Sequence, residues 1–176
     1  MAVPDRFVAE ILEGELFTSP RPASPHARAA SALGSAIFSR FDGPPGSPEL
    51  PGGWWILDEP ELHLGEDVLV PDIAGWRRER MPELPDVVGF TLAPDWVCEV
   101  ISPTTARIDR GRKMKIYARE GVPRLWIVDP LAQTVECYRF DDGSWVVDQV
   151  HEGNSQLCAA PFDVVEIDVA RCWAMR

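Results

Sequence analysis

Hydrophobic and polar positions divide this chain into recognisable segments before any motif is sought. Residues 7–18, FVAEILEGELFT, alternate apolar and polar side chains around Gly14, which predicts an early strand or short hairpin. Pro20, Pro22 and Pro25 then mark a loop, with Ser24 placed to cap a helix. From His26 to Phe41 an apolar stripe through Ala29, Leu33, Ile37 and Phe41 predicts a helix packed on a core. The segment GPPGSPELPGG reads as a surface loop.

Strands are expected at Trp54–Leu57, Glu61–Leu64 and Val68–Trp76, followed by a charged, proline-punctuated insertion over residues 77–94, where flexibility is expected. Asp95–Ile101 reads as a strong strand, Thr105–Glu120 as a helix and Arg124–Val128 as another buried strand. Two more strands, Thr134–Phe140 and Ser144–Val150, flank the turn residues DDG and predict a hairpin. No internal repeat or low-complexity tract interrupts this order. Strands with intervening helices predict an α/β fold with a mixed central sheet, and residues 1–176 read as a single domain.

Composition narrows the chemistry. A hydrophobic fraction of 45% with seven tryptophans suits a folded chain with a sizeable core. No apolar run approaches the roughly 20 residues of a membrane span. The start MAVPDRFVAEILEGEL carries acids where a signal peptide is basic and apolar, so a soluble cytoplasmic protein is expected. Cys98, Cys137, Cys158 and Cys172 form no CxxC pair, and His26, His63 and His151 are scattered. Structural zinc is therefore not expected; a bound metal would need oxygen ligands, which favours Mg2+ or Mn2+.

The net charge of −11 argues against a general coat for nucleic acid. Ten of the 17 basic residues nevertheless fall between Arg77 and Arg124, either a local zone that could meet a polyanion or ordinary solvated charges.

The candidate chemistry lies in two acids and one lysine. Asp72 in VLVPDIAGW and Glu99 in WVCEVIS are carboxylates set among apolar strand residues. Such acids are costly unless paired or bound to metal. Asp95 and Glu99 share a strand face but lie roughly 13 Å apart at about 3.3 Å per residue, too far for one ion. Asp72 on a neighbouring strand is the better partner. Asp109, Lys113 and Tyr117 recur at four-residue intervals along one helical face, from which Lys113 could reach the two acids. The alternative is an Asp109–Lys113 ion pair on a solvated face. Glu13 or Glu15 could add another acid, or be surface groups beside Gly14. Trp54, Trp55, Trp96 and Trp126 read as core residues, and Ser102 as a turn or capping residue rather than a nucleophile. His26 could touch a phosphate at its helix start or have no special role.

The blocks ILEGELF, VPDIAGW, DWVCEVISPTT, DRGRKMKIY and GVPRLWIVDP together resemble the Uma family of restriction endonucleases, a bacterial branch of the PD-(D/E)XK nuclease superfamily. The resemblance covers roughly residues 7–150. It implies a restriction endonuclease-like core with a mixed central β-sheet flanked by helices. It also implies metal-dependent cleavage of nucleic acid, most naturally DNA, with Mg2+ or Mn2+ held by Asp72 and Glu99. The superfamily's usual lysine, two residues after the second acid, is Ile101 here; the resemblance places its role on Lys113. Paired subunits are a further expectation. The competing expectation is a catalytically inactive nuclease-fold module that binds nucleic acid or protein.

Overall fold

The computed structural model describes residues 7–174. The first segment folds as the expected hairpin, β1 (Phe7–Leu12) and β2 (Glu15–Pro20). Its two-residue turn, Glu13 and Gly14, has φ of 54° and 79°, the left-handed pair that matches the twist of a tight hairpin. Helix α1 (Ser24–Phe41) buries Ala29, Leu33, Ile37 and Phe41, the stripe read from the sequence. Its start differs from expectation. Ala23 is the N-cap and no side chain caps the helix, because Ser24 and Pro25 already lie in the first turn, where proline's missing N–H costs nothing.

Strands β3 (Trp54–Asp58) and β4 (Glu61–Leu64) follow as expected. The run Val68–Trp76, expected as one strand, is two: β5 (Asp67–Leu69) and β6 (Ile73–Arg77). The break falls at residues 70–72, where Pro71 lacks the N–H that would continue a ladder. β5 joins a five-stranded sheet of order β2-β1-β5-β4-β7, with β7 at Gly89–Phe90, and β6 enters a six-stranded sheet. Asp72 therefore sits where the chain passes from one sheet to the other.

The larger sheet has the order β11-β10-β9-β8-β6-β3. Strand β8 (Trp96–Val100) is followed by a helical stretch, residues 106–119, and returns as β9 (Arg124–Asp129), its parallel neighbour. The β10 (Thr134–Asp141) and β11 (Ser144–Glu152) hairpin completes that edge. The remaining pairings are antiparallel, so the sheet is mixed. A short pair, β12 (Gln156–Leu157) and β13 (Ile167–Asp168), precedes the terminal helix.

Both faces of the large sheet are covered, and β8 shows how. Trp96, Cys98 and Val100 face a core shared with α1 and the C-terminal segment. Val97 and Ile101 face a second core with the small sheet and the helical stretch. Glu99 shares the parity of Val97 and Ile101, so it faces the second layer and is buried. Close packing is visible at Gly75 of β6, where a Cβ would meet Ile56 and Trp54 at 3.1 and 3.2 Å.

The 106–119 stretch is not one regular α-helix. A short α2 (Ala106–Ile108) leads into a π turn (Asp109–Lys113) and then α3 (Met114–Arg119). A fourth helix, α4 (Ala170–Trp173), ends the described chain. Residues 77–94 are tied down by two indoles: Trp55 Nε1 donates to Met81 O and Trp76 Nε1 to Leu92 O, both at 2.8 Å. Trp55 itself is only partly buried, beneath the Arg78 guanidinium, unlike the enclosed Trp54, Trp96 and Trp126. Five of the basic residues between 77 and 124 are paired with carboxylates rather than left as unpaired positive charge. Arg80 pairs with Asp95, Arg110 with Glu136, Arg112 with Glu15, Arg119 with Asp67 and Arg124 with Asp148. All four cysteines are free, and among the described residues no helix is long and apolar enough to cross a membrane.

Candidate active site

Four elements deliver charged side chains to one pocket of about 300 Å³. Strand β8 contributes Glu99, the sheet-to-sheet junction Asp72, the π turn Asp109 and Lys113, and β1 contributes Glu10. The start of α1 adds His26. The sequence-derived trio of Asp72, Glu99 and Lys113 is thus brought together. Asp95 is not: its carboxylate accepts from the Arg77 N–H at the other end of β8.

Lys113 is the hub. Its Nζ lies 2.7 Å from Glu99 Oε1, 3.0 Å from Glu10 Oε1 and 3.6 Å from Asp109 Oδ1. The Asp109–Lys113 pair weighed above exists, but on a buried face rather than a solvated one, because β1 and the small sheet cover it. The π turn widens the helix where Asp109 and Lys113 are both turned inward, a distortion that recurs at functional sites. One turn later the Tyr117 hydroxyl donates to Glu99 Oε1 at 2.5 Å.

Glu10 was not expected. Glu13 and Glu15, the acids considered, pair with Arg112 at the surface instead. Glu10 also accepts the Val70 N–H at 2.9 Å, so it ties the junction to the lysine. Its signal was present: it lies among Phe7, Val8, Ala9, Ile11 and Leu12, the same apolar setting that singled out Glu99.

Asp72 is held at both oxygens. Oδ2 accepts the Val100 N–H and Oδ1 shares a hydrogen bond with His26 Nε2, each at 2.7 Å. Burial pushes the Asp72 carboxyl up to about 7, against the opposing pull of the Val100 N–H and Lys113. Burial likewise raises Glu99 and Asp109, with Lys113 opposing in each case. Burial disfavours the charged form of Lys113, but Glu99, Tyr117, Glu10 and Asp109 outweigh it and hold the amine protonated. Burial lowers His26, so its imidazole stays neutral. Ser102 shares hydrogen bonds with Thr104 and Thr105 and serves the turn, as read from the sequence.

Carboxyl oxygens are the donor type that suits a hard divalent cation. The carboxyl groups of Glu10, Asp72, Glu99 and Asp109 line the pocket together with Lys113, and burial is the main cause that raises Asp72. Among the described residues no group of three or more His, Cys, Asp or Glu side chains is arranged to hold a metal ion. Mg2+ is commonly held by one or two carboxylates together with substrate phosphates, so a two-acid site is sufficient. Hard oxygen donors also suit Mg2+ or Mn2+ better than zinc.

Residues 2–170 match the Uma2 family, described as "Putative restriction endonuclease". No curated protein matches the chain. Among solved structures, a crystal structure described as a "putative nuclease" from Anabaena variabilis superposes with a TM-score of 0.77 at 21% identity. The alignment covers 98% of this chain and 93% of that one, and likeness at that identity establishes a shared fold.

Proposed function

Starting from the chain's membership of the Uma2 family, shown by a match over residues 2–170, we propose that it is a metal-dependent endonuclease that hydrolyses phosphodiester bonds of nucleic acid, with DNA as substrate. The observation that supports this most is the contact of Lys113 Nζ with Glu99 Oε1 at 2.7 Å, in the pocket that Asp72 also lines.

Asp72 and Glu99 would hold Mg2+ or Mn2+. Such an ion supplies Lewis-acid charge at the scissile phosphate when bound. The remaining work falls to the chain itself. The Val100 N–H and His26 fix the direction of the Asp72 carboxylate. Lys113, locked by Glu99 and Glu10, presents a preorganised positive charge to the phosphoryl oxygens as negative charge builds on them. Tyr117 fixes the Glu99 carboxylate from the next turn of the helix. Free cysteines are consistent with work in the cytoplasm, and paired subunits would let two such pockets cut both strands.

Cleavage of single- and double-stranded DNA and RNA with Mn2+ or Mg2+ tests this reading. Wild type is expected to cut, and Asp72→Ala and Lys113→Ala to lose nearly all activity. Equal cleavage by all three proteins would overturn it.

A second reading, an inactive module that binds nucleic acid or protein, draws on Ile101 at the usual lysine position and on the enclosure of Lys113 by three carboxylates. Calorimetric titration with Mn2+ separates the two. Saturable binding that Asp72→Ala abolishes supports the nuclease; nucleic-acid binding with no metal uptake supports the module.

A further inference from the structure

The pocket has a second pair of charges, at its mouth rather than its floor. Arg21 Nη1 lies 3.3 Å from Glu59 Oε2, and their side chains are 57% and 46% exposed. Both residues line the same cavity as Asp72 and Lys113. Resting on the nuclease reading above, we propose that Arg21 is a substrate-positioning residue that grips a backbone phosphate of the entering nucleic acid, and that Glu59 is an internal competitor for it.

The charge inventory of the cavity favours such a group. Its carboxyl groups are Glu10, Glu59, Asp72, Glu99 and Asp109, while Lys113 is enclosed and engaged by three of them. A polyanion approaching this lining meets net negative charge. Among the described lining residues, Arg21 is the cation that faces solvent. Guanidinium is also the side chain whose planar fork best matches phosphate oxygens.

Both members of the pair are set in place by the backbone. Arg21 stands between Pro20 and Pro22, whose fixed φ angles restrict its approach. Glu59 has φ of 44°, a conformation unusual for a side chain other than glycine, and its N–H donates to Asp72 O at 3.0 Å. The competitor is therefore anchored to the backbone of a residue on the pocket floor. Solvent-exposed ion pairs of this kind are weak, so a phosphate can displace the carboxylate.

Fluorescence anisotropy with a fluorescein-labelled DNA duplex and single strand, in EDTA or Ca2+ and across a KCl series, tests the assignment. Arg21→Ala is expected to weaken binding about tenfold and to flatten the salt dependence by about one phosphate contact. Glu59→Gln should tighten binding severalfold, and Arg21→Lys should recover part of the loss. Arg124→Gln removes an equal charge on β9, outside this cavity, and should change neither quantity. In cleavage assays Arg21→Ala should raise KM while leaving kcat within about twofold. Unchanged affinity and salt slope in Arg21→Ala, beside a wild type that binds and cuts, would overturn the grip and leave the nuclease intact. Arg21-dependent binding without any cleavage would support the grip and sink the nuclease reading. A folded wild type that binds neither probe would overturn both.

Discussion

Lys113 Nζ and Glu99 Oε1 meet at 2.7 Å with both side chains almost wholly shielded from solvent. A pair so placed is a liability when broken, because the carboxyl left behind must either keep its charge without water to screen it or take up a proton. Lys113→Met should therefore destabilise the fold by about 3–5 kcal/mol, beyond the loss of a surface ion pair. Urea denaturation measures this, and a change below about 1 kcal/mol, typical of exposed pairs, would contradict the buried arrangement.

Asp72 makes stability depend on pH in an unusual direction. Its carboxyl is raised from 3.8 to about 7 by burial, so between those values the folded protein keeps a proton that the unfolded chain has lost. Stability from this group is complete below pH 3.8, falls as pH rises, and levels off above about 7. A shift of that size corresponds to about 4 kcal/mol as an upper bound. Asp72→Asn should abolish cleavage yet raise Tm at pH 8 by several degrees, and Mn2+ should raise the Tm of wild type more than that of the variant. Thermal melts at pH 5 and pH 8 check both statements; a wild type whose Tm climbs between them relative to Asp72→Asn would refute the assignment.

His26 shares a hydrogen bond with Asp72 Oδ1 at 2.7 Å, and on the nuclease reading it acts by holding that carboxylate. Removing an outer partner of a metal-binding carboxylate commonly costs about 10–100-fold in metal affinity. His26→Ala should show that loss in a calorimetric Mn2+ titration, with kcat recovering at saturating metal. Wild-type affinity in the variant would leave His26 a helix-start residue with no part in the site.

Ile101 stands where superfamily lysines usually do, but it is 4% exposed and packed in the same apolar cluster as Tyr117 and Val97. An ammonium there would be buried among hydrocarbon. Ile101→Lys should destabilise the protein by about 3 kcal/mol or more and should not restore cleavage to Lys113→Ala. Recovery of activity in the double variant would show that a strand-borne amine reaches the substrate after all.

Much of this arrangement could be read from residue order. The stripe of α1, the β8–helix–β9 unit and the β10–β11 hairpin each follow from local periodicity and turn residues. Asp72 and Glu99 were visible as acids in apolar surroundings. The split of Val68–Trp76 into two sheets was not, because the run is apolar on both sides of the break and only Pro71 hints at it. Whether Lys113 faces water or protein depends on β1, a segment about a hundred positions away, and no helical spacing can report that. The link between His26 and Asp72 was hidden for the same reason: it spans 46 positions and joins a helix start to a sheet junction.

The widened turn at Asp109–Lys113 accommodates one residue more than a regular helix of the same rise. Gly111 lies within it, with open space where a side chain would project. Deleting that glycine would let the backbone wind as a regular α-helix, leaving Asp109 and Lys113 three residues apart and still on one face. The narrower turn would nevertheless shift Lys113 relative to the carboxylates of Glu10, Glu99 and Asp109 that now surround it. A single lost codon would thus disturb the enclosure of the lysine without removing any charged side chain from the pocket.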